Sequence, residues 1–103
     1  FVAAGVIVNV HAFIGENSIL NTGCTVDHDC VVGAHSLIGP NSSLCGGVTI
    51  GEGVLLGAGV NVIPRARVGA WSTVGAGAAV VGDLPDGMVF AGVPAVPLKR
   101  MGA

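Results

Sequence analysis

The sequence predicts an all-β fold: a parallel β-helix built from six-residue steps, with a short C-terminal tail. Two registers carry this. Branched aliphatic residues stand at Val2, Val8, Ile14, Leu20, Val26, Val32, Ile38, Leu44, Ile50, Leu56, Val62, Val68, Val74 and Val80, fourteen positions in an unbroken step of six. Mostly small residues lie two positions earlier, at Ala12, Ser18, Cys24, Cys30, Ser36, Ser42, Val48, Val54, Val60, Ala66, Ser72 and Ala78. A period of six fits neither a 3.6-residue helix nor the alternation of a long strand, whereas a fixed repeat marks a stacked architecture. Short strands joined by tight turns fit it. The branched residue points inward, the small one sits near the bend, and the glycine after many rungs (Gly15, Gly33, Gly39, Gly51, Gly57, Gly69, Gly75) is expected to ease the turn.

Composition agrees. Of 103 residues, 18 are glycine, 51% are apolar and only 10% are charged, which excludes a disordered chain. A net charge of -2 gives no general attraction to nucleic acid or to an acidic membrane face. The mean hydropathy of +0.81 would suit a membrane protein. Polar residues and glycine interrupt every apolar stretch before the ~18 residues that a spanning helix needs. No basic and apolar leader opens the chain. Three cysteines at irregular spacing, with no CxxC, argue against a disulfide framework and for a reducing, cytoplasmic setting. Cys24 and Cys30 fall in the small register and read as packing, and Cys45 reads as structural.

The repeat ends after Val80. Gly82-Asp83-Leu84-Pro85-Asp86-Gly87 reads as a loop. A short strand is expected near Met88–Ala91 and an extended tail after it, since Pro94 and Pro97 oppose a long helix. The expected division is a β-helix over 1–83 and a closing loop and tail over 84–103.

The closing phrase Gly92-Val93-Pro94-Ala95, and Asn21-Thr22 followed by Val26-Asp27-His28-Asp29-Cys30 and Gly33, narrow the match. Over nearly its whole length the chain resembles hexapeptide-repeat acyltransferases, in particular the sialic acid O-acetyltransferase and bacillosamine-pathway sugar N-acetyltransferase family. The resemblance implies a left-handed winding and a triangular coil made of three hexapeptides. Val2 to Val80 then makes between four and five coils, stacked about 4.8 Å apart. It also implies acetyl-CoA as acyl donor, a sugar or nucleotide-sugar acceptor, a homotrimer, and no metal, nucleic acid or membrane insertion. Many members carry a small nucleotide-fold domain before the repeat. This chain opens inside the repeat at Phe1, so that domain is absent or lies outside the sequence. Members often have a second histidine where Leu37 stands here.

In that family the histidine of the His-Asp phrase is the general base and the following acid orients it, so these roles fall on His28 and Asp29. An imidazole with a solution pKa near 6.5 suits proton transfer near neutrality. A coil of three hexapeptides stacks His28 with Val10, Gly46 and Pro64, and the small Gly46 is expected to leave room for an acceptor. His11, Asp29, Gly47 and Arg65 form the neighbouring column. His35 stacks with Asn17, Gly53 and Trp71, and reads as a cleft residue near the acyl group. The turns Gly57-Ala58-Gly59 and Gly75-Ala76-Gly77 expose backbone amides that suit the two amides of pantetheine. Asn21 and Pro94 are added to this coenzyme set by the resemblance. All four cations, Arg65, Arg67, Lys99 and Arg100, lie toward the C-terminal end, so the nucleotide of CoA is expected toward Lys99 and Arg100. No Gly-Lys-Ser/Thr makes a P-loop. Two other readings stay open: a non-catalytic trimerisation or scaffold module, and a zinc enzyme like the γ-class carbonic anhydrases using His11, His28 and His35.

Overall fold

The computed structural model describes residues 1–98, and among them every regular element is a strand. The first face stacks Ile7–Val8, Thr25–Val26, Ser43–Leu44, Asn61–Val62 and Ala79–Val80. The second stacks Phe13–Ile14, Val31–Val32, Thr49–Ile50 and Arg67–Val68. The third stacks Ile19–Leu20, Leu37–Ile38, Leu55–Leu56, Thr73–Val74 and Val89–Ala91, and ends with Val96–Pro97. Partners such as Ile7 and Thr25, or Val31 and Thr49, are three hexapeptides apart and parallel. This is the parallel β-helix of hexapeptides that the repeat predicts, and it is consistent with a left-handed winding. Among the described residues no helix is long and apolar enough to cross a membrane.

The branched register forms the core. From Leu20 to Val80 each rung is at most 2% exposed. Val2 and Val8 are 60% and 42% exposed. The small register is buried at the bends, where its serines satisfy the backbone. Ser18, Ser36 and Ser42 donate to the carbonyls of Gly33, Gly51 and Gly57 at 2.8–2.9 Å. Each also accepts an N–H from the coil above, from Ser36, Val54 and Val60 at 3.0–3.2 Å. Buried hydroxyls are tolerable here because both their capacities are used. Burial raises the Cys24 and Cys30 thiols above their ordinary pKa, so these stay protonated packing groups.

The glycines after the rungs have a different purpose from the one expected. None of Gly15, Gly33, Gly39, Gly51, Gly57, Gly69 or Gly75 lies in the left-handed region. A Cβ at Gly33 would stand 2.6 Å from Glu52 N, in the backbone of the next coil. Most of these glycines let coils approach, and the turn is made elsewhere. Positive φ recurs at residues 5, 11, 17, 23, 29, 35, 41, 47, 53, 59, 65, 71 and 77, a third register in steps of six.

Past Val80 the ladder continues on a shorter step. Leu84 bridges Val68, and Phe90 pairs with Val74, each two positions short of a full coil. Two aspartate side chains bond backbone N–H groups of the coil below, and Asp83 does so where the earlier coils use a backbone carbonyl. Asp83 Oδ1 accepts the Arg67 N–H at 2.9 Å, and Asp86 Oδ1 accepts the Ala70 N–H at 3.0 Å. Phe90, fully buried, closes the core. The strand expected near Met88–Ala91 is present at Val89–Ala91, but the tail is not extended. It turns through Gly92–Ala95 and returns antiparallel, with Ala91 opposite Val96. The Ala95 N–H donates to Ala79 O at 2.8 Å, which seats the turn on the last coil.

Candidate functional site

The prism has three edges. Residues 9–12, 27–30, 45–48 and 63–66 form the first. Residues 15–18, 33–36, 51–54 and 69–72 form the second, and 21–24, 39–42, 57–60 and 75–78 the third. The turn Asp27-His28-Asp29 lies on the first edge. Asp27 Oδ1 accepts the His28 N–H at 2.7 Å and the Asn9 Nδ2–H at 3.0 Å. The His28 N–H and then the Asn9 amide hold the Asp27 carboxyl below its ordinary pKa. That anchored carboxylate sets the start of the turn. Asp29 then takes φ +59°, a left-handed conformation that a short polar side chain tolerates.

This backbone aims two side chains at each other. His28 Nδ1 and Asp29 Oδ2 are 3.2 Å apart. Their side chains are 59% and 63% exposed, so the pair adds little to stability and its effect is to orient the ring. The imidazole lies against Gly46 of the next coil. A Cβ there would stand 2.6 Å from His28 Cε1 and 2.7 Å from Nε2. The expectation that Gly46 leaves space for an acceptor is therefore corrected: the histidine ring takes that space. The open volume, about 750 Å³, lies beside the ring and is lined by Asp27, His28, Asp29, Cys45, Gly46, Gly47, Pro64 and Arg65.

The other expected site residues fall on other edges. His35 is on the second edge at φ +60°, in the column of Asn17, Gly53 and Trp71. The Trp71 ring lies over Gly53, where a Cβ would collide with it. Asn21 and the turns Gly57–Gly59 and Gly75–Gly77 lie on the third edge. Nothing stands within 4 Å of a Cβ placed at Gly59 or Gly77, so the backbone there borders open space. The Asn21 side-chain carbonyl accepts the Thr22 N–H at 2.7 Å, a local turn bond. Pro94 is exposed in the closing turn. Lys99 and Arg100 lie outside the described residues. Among the described residues the expected set comes together in two places: His28 with Asp29 on the first edge, and the turn Gly57–Gly59 with Gly75–Gly77 on the third, where the Gly77 N–H donates to Ala58 O at 2.8 Å.

Asp29 bonds to His28, and no bond joins it to His11 among the described residues. His11 and His28 share the first edge while His35 is on the second. Among the described residues no three His, Cys, Asp or Glu side chains converge as a metal site would require. Sequence reading missed Asn9, Asp27 and Arg65 as members of the site. The signal for Arg65 was present as the third register of six, which is mostly Gly, Asn, Asp and His.

Comparison with known proteins agrees with the fold. A search of curated proteins gave no match. Among solved structures, a histidine-to-alanine variant of GDP-perosamine N-acetyltransferase from Caulobacter crescentus, in complex with CoA and GDP-perosamine, is 45% identical with a TM-score of 0.92. The match covers 95% of this chain and 50% of that one. The acetyltransferase domain of PglB from Neisseria gonorrhoeae is 37% identical with a TM-score of 0.85, over 95% of this chain and 57% of that one. Serine acetyltransferase from the same organism is 31% identical with a TM-score of 0.85, over 92% and 41%. The chain thus spans about half the length, or less, of these relatives. The bacterial transferase hexapeptide family (six repeats) matches residues 11–46 and 47–82, most of the coils described above. By its repeat, its stacked coils and these likenesses, the chain belongs to the bacterial hexapeptide transferases.

Proposed function

We propose that the chain transfers an acetyl group from acetyl-CoA to an amine or hydroxyl of a sugar or nucleotide sugar, with His28 as general base. One observation carries this: an imidazole in an open depression, with Nδ1 3.2 Å from Asp29 Oδ2. With Nδ1–H donating to Asp29, the bare Nε2 is the proton acceptor. The acceptor nitrogen or oxygen attacks the thioester carbonyl, and its proton passes to Nε2. A backbone N–H of the turn lining the depression stabilises the oxyanion. The C–S bond then breaks, and the coenzyme leaves as a thiol with the proton that the imidazole returns. No covalent enzyme intermediate is needed. The relative that is 45% identical was solved with CoA and an amino-sugar nucleotide, which supports both substrate classes.

The same reading takes the active form as a homotrimer. Outward-facing Phe13 (63% exposed) and Val31 (41%) on the second face, and Ile19 (38%) and Leu55 (45%) on the third, are apolar surface that a partner would cover. Coenzyme A would lie between two subunits. The histidine edge of one would face Asn21, Gly57, Ala58, Gly59, Gly75, Ala76 and Gly77 on the third edge of the next. His35 and Pro94 would border the groove, and the nucleotide would lie toward Lys99 and Arg100. The β-helix over 1–83 supplies the base, and the segment 84–103 supplies the closing turn and basic tail. The cytoplasm suits this reading, since Cys24, Cys30 and Cys45 are free thiols.

The test is thiol release from acetyl-CoA in the presence of amino sugars, their nucleotide-linked forms and sialic acids. His28→Ala should lower turnover about a hundredfold or more while coenzyme binding persists. Asp29→Asn should cost less, since it disturbs the ring's orientation and leaves the base. Near-normal turnover of His28→Ala would remove the histidine from the mechanism, and a monomer in sedimentation at micromolar concentration would remove the trimer.

A further inference from the structure

We propose that Arg65 is a specificity-determining residue that binds an anionic group on the acceptor, a phosphate or carboxylate close to the reacting centre. This rests on the acetyl-transfer reading above.

The inference starts from backbone conformation. The left-handed register holds glycine at 5, 23, 47, 53, 59 and 77, and Asn, Asp or His at 11, 17, 29, 35 and 41. Those residue types tolerate positive φ. Arg65 (φ +63°) and Trp71 (φ +61°) are the exceptions. A long side chain without a short polar group is strained there, and such strain clusters where a side chain is needed for function. Trp71 lies on the second edge, away from His28. Arg65 lies on the first, in the column of Asp29 and two coils above it.

Its side chain has room and direction. A Cβ at Gly47, the intervening position, would be 3.3 Å from Arg65 Cγ, so the aliphatic stem passes over Gly47. Arg65 and His28 line the same depression. Among the described residues no carboxylate pairs with the guanidinium. The two nearby acids already have partners: Asp29 bonds His28 Nδ1, and Asp27 accepts from the His28 N–H and Asn9 Nδ2. A guanidinium so placed offers paired donors to a phosphate or carboxylate.

Distance selects the acceptor rather than the donor. Two coils separate the backbones of His28 and Pro64 by about 10 Å, and both side chains reach into that span: the imidazole lies on Gly46 and the Arg65 stem on Gly47, neighbours on the coil between. An anion held by the guanidinium is therefore one borne on the acceptor close to its reacting amine or hydroxyl. An extended pantetheine arm is much longer, so with its thioester at His28 the coenzyme's pyrophosphate falls beyond this reach.

The test uses the full chain and its Arg65→Gly variant, assayed with a neutral amino sugar, the same sugar as its 1-phosphate, and an acidic sugar bearing a carboxylate. The ratio of kcat/KM for the anionic acceptor over the neutral one should fall about tenfold or more, the worth of a charge-assisted hydrogen bond. Whichever anion loses its advantage identifies the group bound. Arg65→Lys should recover part of the ratio. The melting temperature of Arg65→Gly should equal or exceed that of the parent, because glycine relieves the left-handed strain. An unchanged ratio for both anions overturns the proposal, as does a rise confined to the KM of acetyl-CoA. A lower melting temperature with selectivity intact also overturns it, since the arginine then holds the coil. If the parent chain acetylates none of the acceptors, the acetyl-transfer reading itself fails and this proposal fails with it.

Discussion

Gly46→Ala should disable the site while leaving the fold intact. The new Cβ would stand 2.6 Å from His28 Cε1, 2.7 Å from Nε2 and 3.3 Å from Nδ1. Carbon contacts are comfortable at about 3.5–4.0 Å, so the ring must retreat by about 1 Å. The bond to Asp29, already 3.2 Å, then exceeds hydrogen-bonding range. A displacement of about 1 Å at a reacting group costs about a hundredfold in rate, which is about 2.7 kcal/mol of barrier. Stability should barely change. Gly46 lies outside the left-handed region, so alanine is allowed, and its smaller unfolded-state entropy adds about 0.4–1 kcal/mol. The displaced ring is exposed and can swing into solvent. The control is Gly47→Ala. At φ +72° it should cost about 1–2 kcal/mol of stability while leaving the imidazole in place, and since its Cβ meets the Arg65 stem at 3.3 Å it is assayed with a neutral acceptor. Thermal melts and steady-state thiol release separate the two. If Gly46→Ala keeps near-normal kcat, the ring packed on Gly46 is not the working geometry of the base.

Asp27, held below the ordinary carboxylate pKa by the His28 N–H and then by Asn9, contributes stability that is fully present above the unfolded value of about 3.9. That contribution is lost as pH falls through the lower folded value. Asn9→Ala should move the Asp27 titration, followed by NMR, back toward the ordinary range, and an unmoved titration would mean that the Asn9 contact is not populated in solution. Gly33→Ala places a Cβ 2.6 Å from Glu52 N, where only parting the coils gives relief, and should cost about 3 kcal/mol in denaturant titration. Gly59→Ala meets open space and loses only through its φ of +66°, about 1 kcal/mol; equal losses for the two would refute the close-approach account of the rung glycines.

Much of the architecture was legible because a solenoid repeats one local rule. The rung residues from Leu20 to Val80 follow from the step of six, since each must fill the same slot in the core. The coil of three hexapeptides, taken from the family resemblance, then placed Gly46 beside His28 and Trp71 above Gly53, and both stackings occur. The glycines after the rungs depart from expectation for a physical reason. Glycine serves either a positive φ or a close approach, and sequence alone does not separate the two. Only the stacked coils show that Gly33 needs the absence of a Cβ whereas Gly59 needs the left-handed backbone.

The tail marks the other limit. Once the six-residue step lapses at Val80, local pattern says nothing about which strand Val89–Ala91 will join. The pairing with Thr73–Val74 is two positions short of a full coil, and Asp83 and Asp86 in the shortened connection accept N–H groups from the coil below. The sequence by itself determined the β-helix, its core and the adjacency of His28 and Asp29, because these depend on spacing along the chain. Tertiary structure alone decided that the imidazole occupies the space over Gly46, that Asp27 is anchored by Asn9 from the coil below, and that Arg65 shares their depression. Those facts depend on where side chains from successive coils settle against one another, and the repeat assigns residues to a column without saying which way their side chains turn.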